Sequence, residues 1–396
     1  MAPTPAPSLP SLLEATLVLS DQFISSLSLP TQPQSEPPTT TSTSSDSAPL
    51  PLPLLTTSAN ALKAQTTKLS LLAINSPFTP SAVTTVLTAV NESILPSLVT
   101  AALLTLPASY TTAFHAEAKL LVKDVLREFA GLVGVVKVIA REQNGGKGKG
   151  EVKAEQKEMV LGATGRVWKA CDELVTFAGE GVVGLVSRKA RMYLELVRDG
   201  IRELQDWDPE EEGAGGDGDD GFFDDDDDED EDEEDEDDNE KTKPTPEILH
   251  AEKSHMLRLL TPLAQIYPAI ISQRLKKTSS ALTTSTPLCP SSVSQLDRLL
   301  PHLRELPNLL DEAAGSLYEH DLDNAVEYTV RLRRTAFMAA EVMRVPLSGG
   351  SSGAGAKEGE QGGKNGEEKV VEDKFPKWAD TWKNVVEEIA KSKKEG

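Results

Sequence analysis

An unbroken run of fifteen acidic residues, Asp224 to Asp238, is the feature that most restricts how this chain can fold. Neighbouring carboxylates about 7 Å apart repel each other by roughly 0.6 kcal/mol even at the dielectric constant of water. The run contains no apolar side chain whose burial would offset the entropy lost on ordering. The sequence therefore predicts a disordered acidic linker over residues 208–246, with a folded region on each side.

The negative charge of the chain is concentrated in this linker. The formal net charge is -23, but residues 217–240 contain nineteen acidic residues and no basic residue, so the remainder carries only -4. A nearly neutral remainder argues against a folded surface that binds nucleic acid directly. The carboxylates of Asp224 to Asp238 could instead attract basic partner proteins such as histones.

Length and cysteine content favour an intracellular protein of two domains. The chain has 396 residues, whereas single domains usually have about 100 to 200. Cys171 and Cys289 are too few and too distant to predict a disulfide framework or a zinc site. The N-terminus lacks the basic start of a secretory signal, and no run approaches the 18 or more apolar residues of a membrane span. We expect no membrane association and a location in nucleus and cytoplasm.

Helical periodicity dominates the sequence outside the linkers. The clearest apolar stripe steps by three or four residues from Leu121 to Ile139, and similar stripes cover 151–177 and 182–207. No stretch alternates apolar and polar residues long enough to predict a sheet. The sequence therefore predicts an all-α fold of two antiparallel helical bundles with long helices.

Prolines and composition set the expected boundaries. Pro262 and Pro268 must bend or divide the helical pattern over 246–274, and separate helices are expected at 291–300 and 307–317. The predicted segments are a mostly disordered Pro/Ser/Thr-rich head with one short helix (1–59), an N-terminal bundle (60–207), the acidic linker (208–246), a C-terminal bundle (247–345), a disordered Gly-rich linker (346–370) and a C-terminal amphipathic helix (371–396).

The sequence contains no combination of residues that predicts catalysis. A Gly-x-Ser-x-Gly pattern at 349–353 lies in a Gly/Ser segment, not at the strand-to-helix turn that a nucleophilic serine requires. His250 and His255 are five residues apart, whereas metal-binding pairs on one helical face are four apart. We therefore expect no enzyme activity, no metal site and no cofactor.

Two segments stand out from this background, 165–174 and 197–207. Trp168, Cys171 and Val175 share a helical face, which predicts a tryptophan and a thiol packed in the core of the first bundle, next to Val167. Asp172 projects to another face, where it could pair with a basic residue of a neighbouring helix. Trp207 is expected to close the end of the bundle.

Four arginines on the helix over 182–207 form a candidate partner-binding face. Their spacing of three, seven and four residues places them along one solvated side of the helix. A face that serves only solubility is the alternative interpretation. The four residues are Arg188, Arg191, Arg198 and Arg202.

Four segments resemble, in the same order, the cyclin-D-binding protein family, also called GCIP. The most specific is the Val-Trp-x-Ala-Cys-Asp motif at 167–172, and the resemblance covers about 60–207 and 247–343. Val167, Trp168, Cys171, Asp172 and Trp207 are carried over as family markers with a packing role. The segments that carry the resemblance are 121–129, 165–174, 197–207 and 259–271.

This resemblance implies a two-part helical protein without catalytic activity. It implies binding to cyclin-like or other helical regulatory proteins, restraint of cell-cycle transcription, and a presence in nucleus and cytoplasm. The sequence leaves a second function open, in which the bundles form a structural adaptor or an acidic chaperone for basic proteins such as histones.

Overall fold

The computed structural model describes residues 8–29, 50–144, 151–210, 244–276, 278, 288–348 and 373–392. Within these ranges all regular elements are helices, which confirms the predicted all-α class. The acidic run Asp224 to Asp238, the pattern at 349–353 and most of both predicted linkers lie outside the described residues. The predictions for those segments stay predictions.

The helices are numbered in chain order. Single π-helical turns occur at Val90–Ile94, within α3, and at Ile271–Leu275, directly after α8. The helices are α1 (Leu9–Ser28), α2 (Pro51–Ile74), α3 (Pro80–Leu104), α4 (Pro107–Tyr110), α5 (Thr112–Asn144), α6 (Ala154–Asp206), α7 (Pro246–Leu263), α8 (Ile266–Ile270), α9 (Pro290–Tyr318), α10 (Leu322–Val342) and α11 (Phe375–Ser392).

The described residues form two compact units, and the first contains those of 1–186, 278–297 and 348–355. In this unit α1 lies along α5, and α2 packs on α3. The N-terminal head thus contributes a helix of 20 residues whose Leu13 and Leu27 are both buried. The first bundle begins with α2 at Pro51 rather than near residue 60, because Leu52 and Leu55 extend its buried stripe.

By length and composition alone, α3 could cross a membrane. In this fold half of its most apolar window is buried, and Val83, Leu87 and Leu98 are fully enclosed in the first unit. The core helix of a bundle needs the same apolar composition. The apolar character of α3 is therefore accounted for by packing.

The second unit contains the described residues of 187–277, 298–347 and 356–396. Here α7 ends at Leu263 and α8 begins at Ile266, so the proline-rich pattern is divided as predicted. The prediction of separate helices at 291–300 and 307–317 is wrong, because α9 continues through Pro301 and Pro307. Leucines at 299, 303, 306 and 310 are all buried in α9, and this burial offsets the hydrogen bonds that the prolines remove.

The division into units differs from the predicted bundles over 60–207 and 247–345. Gly181 interrupts α6 with φ 62° and ψ -168°, in agreement with separate helical patterns on its two sides. The division falls five residues later, after Val186, and residues 288–297 belong to the first unit. Periodicity could not locate this boundary, because a helix keeps its apolar stripe when its neighbours change.

Candidate protein-binding surface

The first half of α6 presents a continuous buried stripe to the core of the first unit. Val160, Val167, Cys171 and Leu174 are all fully buried. Burial raises the pKa of the Cys171 thiol to about 12, and the neighbouring Asp172 charge adds to this effect. Cys171 therefore acts as a small apolar core residue and stays protonated at neutral pH.

The prediction that Trp168 belongs to the core is wrong. Its relative exposure is 38%, and it follows the fully buried Val167 by one residue. Successive residues are about 100° apart around the axis of a helix. Trp168 therefore lies at the edge of the buried stripe that contains Val167 and Cys171. The spacing correctly placed Trp168 on the same side of α6 as Cys171. The neighbouring helices cover only part of that side, and Trp168 lies at its uncovered edge.

Two contacts between α2 and α6 define the surroundings of Trp168. The Lys63 ammonium lies 2.6 and 2.7 Å from the two carboxylate oxygens of Asp172. Seven residues further along α2, the hydroxyl of Ser70 is hydrogen-bonded to that of Thr164. The two helices are therefore antiparallel. The predicted pairing of Asp172 with a basic residue of a neighbouring helix is present, although such exposed pairs contribute only about 0 to 1 kcal/mol.

This register brings three exposed apolar residues to one side of the helix pair, and we call them the Trp168 patch. They are Trp168 and Leu161 on α6 and Leu71 on α2. Leu161 and Trp168 are seven residues apart on the same side of α6, and the register brings Leu71 to the level of Thr164 between them. The side chains of Leu161 and Leu71 are more than half exposed. Gly165 lies between Leu161 and Trp168, and a Cβ atom added there would meet no atom within 4 Å. The surface at Gly165 is therefore open.

The four arginines predicted as a partner-binding face all lie exposed on the second half of α6, in the second unit. Arg198 pairs with Glu195 at 2.7 Å, and Arg202 pairs with Asp199 at 2.9 Å. The face therefore carries charges of both signs. Its role in binding a partner stays a prediction, for which the residues are Arg188, Arg191, Arg198 and Arg202.

Trp207 closes the end of α6, and its contacts belong to the second unit. Its ring lies 4.9 Å from that of Tyr318. Lys253 donates to the carbonyl of Gln205 at 2.9 Å and to the carbonyl of Trp207. A cation at the last carbonyls of a helix stabilises the negative end of its dipole.

Other chemically active groups are dispersed. No group of three His, Cys, Asp or Glu side chains suited to a metal occurs among the described residues. His255 Nε2 lies 3.3 Å from the carbonyl of Ile389, while the half-buried His250 is 3.8 Å from Asp208.

Sequence reasoning missed the environment of Cys289, where three serine hydroxyls lie 3.0 to 3.2 Å from its sulfur. These hydrogen bonds lower the pKa of Cys289 to about 6. Ser291 and Ser292 are two and three residues after Cys289, but Ser348 is 59 residues away and only folding brings it close.

The described residues define the class of the protein, which is an all-α protein of long amphipathic helices with exposed apolar residues on α6. Residues 54–210 match the family described as Grap2 and cyclin-D-interacting, N-terminal. The match confirms the resemblance over residues 54–210, a range that contains the Trp168 patch, the four arginines and Trp207. A comparison with curated proteins found no match to this chain.

Proposed function

We propose that the protein is a non-enzymatic regulator that binds a cyclin-type partner in stoichiometric amounts. The observation that carries this proposal is an exposed tryptophan, Trp168, within the residues that match a family named for its interaction with cyclin D. The regulated process is cell-cycle progression or its transcription, and the protein acts in the nucleus and the cytoplasm.

The Trp168 patch has the physical properties of a protein-binding centre. Tryptophan is enriched among the few interface residues that contribute most of the binding energy. Leu161 and Leu71 supply apolar surface around it, and the open space at Gly165 would admit a side chain of the partner. The Lys63–Asp172 ion pair lies at one edge, where a polar rim is expected. A helix of the partner that presents an apolar face fits this surface.

Isothermal titration calorimetry of the purified full-length chain with a D-type cyclin tests the proposal. Trp168→Ala should weaken binding by about 30-fold or more, because truncation of a central interface residue costs about 2 kcal/mol or more. Leu161→Ala should weaken binding by a smaller factor. Leu196→Ala is the matched control, because Leu196 is 50% exposed on the same helix but belongs to the second unit.

Three results would count against this assignment. Absence of heat at tens of micromolar protein would exclude the cyclin-type partner. Equal losses in the Trp168→Ala and Leu196→Ala variants would show that binding is not confined to the Trp168 patch. A loss confined to an Arg191→Glu, Arg198→Glu double variant would assign binding to the arginine face, where rim charges act chiefly on the association rate.

The charge of residues 217–240 favours a second candidate function, an adaptor or acidic chaperone for basic proteins such as histones. The nineteen carboxylates of this segment would bind a basic protein by electrostatic attraction that weakens steeply with salt. Deletion of residues 217–240 should then abolish histone binding and leave cyclin binding intact. Histone binding that survives the deletion, or that is insensitive to salt, would exclude this function.

A further inference from the structure

Two exposed threonines lie at the starts of helices, and each is followed by a proline. Thr79 and Thr245 directly precede the prolines that begin α3 and α7. The described residues contain a third Thr-Pro pair, in which Thr261 precedes Pro262 in the interior of α7. All three threonines are exposed to solvent. Sequence and exposure alone therefore do not distinguish them.

Backbone conformation separates the three threonines. Thr79 has φ -112° and ψ 93°, and Thr245 has φ -68° and ψ 154°, so both are extended. Neither hydroxyl caps the helix that follows, and that of Thr79 donates to the carbonyl of Pro77 at 3.2 Å. The hydroxyl of Thr261 instead donates to the carbonyl of Leu257, one helical turn earlier, at 3.0 Å. Only Thr261 is thus held within a helix.

A threonine followed by proline is the substrate of proline-directed protein kinases. Such a kinase transfers the γ-phosphoryl group of ATP to the threonine. The Oγ1 atom forms a bond to the γ-phosphorus, the bond from this phosphorus to the β,γ-bridging oxygen breaks, and ADP leaves. The hydroxyl proton passes to the catalytic aspartate of the kinase. The threonine and its neighbours must enter the active site for this transfer, so a threonine inside a helix reacts only after local unfolding.

We propose that Thr79 and Thr245 are phosphorylation sites for a proline-directed protein kinase, and that α7 protects Thr261 from the same kinase. Access to the first two sites requires at most the opening of a first helical turn. The N–H groups of that turn have no partner within the helix, so its opening costs little. Thr79 lies in the first unit and Thr245 in the second, and neither is part of the Trp168 patch.

A phosphate on Thr79 should stabilise the start of α3. The chain has an anion in the equivalent position of α10, where the Asp321 carboxylate accepts from the backbone N–H of Asn324 at 3.1 Å. Negative charge there interacts favourably with the helix dipole. The first turn of α3 contains no acidic residue, whereas Glu247 lies in the first turn of α7. The stabilisation should therefore be larger for Thr79 than for Thr245.

Incubation of the full-length chain with magnesium-ATP and a purified mitogen-activated protein kinase tests the proposal. This kinase requires no cyclin, so the result is independent of the proposed cyclin-type partner. Mass spectrometry of phosphopeptides over a time course should show phosphorylation of Thr79 and Thr245 at least about tenfold faster than of Thr261, because α7 must open first. The spectra also separate Thr79 from Ser76, which precedes a proline three residues earlier.

Synthetic peptides covering residues 77–87, 243–253 and 259–269 are the matched controls. Each has its threonine at the third position, and peptides of this length form no stable helix in water. All three should be phosphorylated at similar rates, which assigns the protection of Thr261 to the fold. The Thr245→Val variant, phosphorylated at Thr79 alone, measures the effect on α3, and its thermal midpoint should rise on phosphorylation.

Absence of phosphate from Thr79 and Thr245 in the full-length chain would overturn the proposal, as would phosphate on Ser76 in place of Thr79. Equal rates at all three threonines of the folded chain would show that α7 gives no protection. If the 259–269 peptide were not phosphorylated, local sequence rather than the helix would spare Thr261, and the structural argument would fail. A lower thermal midpoint after phosphorylation of Thr79 would exclude stabilisation of α3.

Discussion

The guanidinium of Arg274 forms two parallel hydrogen bonds with the carboxylate of Asp373, of 2.7 and 2.9 Å. The Arg274 side chain is only 3% exposed. It also donates to the carbonyls of Met343 at 2.7 Å and Arg344 at 2.9 Å, and it lies 4.4 Å from the centre of the Phe375 ring. One buried cation thus connects the π-helical turn after α8, the end of α10 and the start of α11.

Arg274→Ala should destabilise the second unit by about 3 to 5 kcal/mol, because it leaves two carbonyls and the carboxylate of Asp373 without their donor. Arg274→Lys should cost less, since it keeps the charge but loses the planar fork. Chemical denaturation measures both effects. Arg304→Ala, at an exposed site, should change stability by no more than about 0.5 kcal/mol, and similar losses in both alanine variants would contradict this role.

Trp168→Ala should leave the first unit folded, at a cost of about 1 kcal/mol, because the side chain is substantially exposed. Val167→Ala, one residue earlier, should cost about 2 kcal/mol since Val167 is fully buried. Thermal unfolding of the two variants side by side gives the comparison. A larger loss for Trp168→Ala would return this tryptophan to the core and remove the basis of the Trp168 patch.

Cys289 should react with iodoacetamide at neutral pH. Serine hydroxyl hydrogen bonds lower the pKa of its thiol to about 6, whereas burial raises the pKa of Cys171 to about 12. Alkylation of Cys289 should therefore rise between pH 5 and pH 7 and then level off, and Cys171 should react only after unfolding. Ser348→Ala removes one of the hydroxyls and should move the midpoint to higher pH. A midpoint that does not move would exclude Ser348 as a determinant.

His115 should make the first unit less stable in mild acid. Its pKa is lowered chiefly by burial and further by the positive charge of Lys119, so the folded state favours the neutral ring. A histidine whose pKa is lower in the folded state stabilises the fold at pH values above its unfolded-state pKa, which is near 6.5. This stabilisation is lost as the pH falls below about 6.5. His115→Gln should flatten the decline in thermal midpoint between pH 7 and pH 5. An unchanged decline in this variant would show that other groups cause it.

The helices of this protein were largely predictable because helix formation depends on local sequence. The stripe from Leu121 to Ile139 lies within α5, and separate patterns on the two sides of Gly181 correspond to the two parts of α6. The local rule failed at Pro301 and Pro307, where burial of the leucines between them keeps α9 continuous. The expectation that proline ends a helix considers that helix alone. The helices packed against it determine how much apolar surface is buried, and this burial can offset the cost of the proline.

Exposure at the edge of a stripe was not predictable in the same way. Spacing put Trp168 within about 60° of Cys171 around α6, which is correct. Its exposure depends on how far α2 covers that side, and this is determined by contacts of Lys63 with Asp172 and of Ser70 with Thr164, about a hundred residues apart in sequence. The charge of the arginine face was not predicted either, because the spacing of the arginines gives no information about the ion pair between Arg198 and Glu195.

The sequence by itself determined the helical class, the break at Gly181 and the similarity of residues 54–210 to the matched family, because each depends on residues close together along the chain. Tertiary structure alone decided the pairing of Arg274 with Asp373, the approach of the Ser348 hydroxyl to Cys289 and the packing of α11 against α7 and α10. These arrangements join residues 59 to 120 positions apart. Long-range pairing of this kind depends on which amphipathic faces pack together, and periodicity identifies the faces but not their partners.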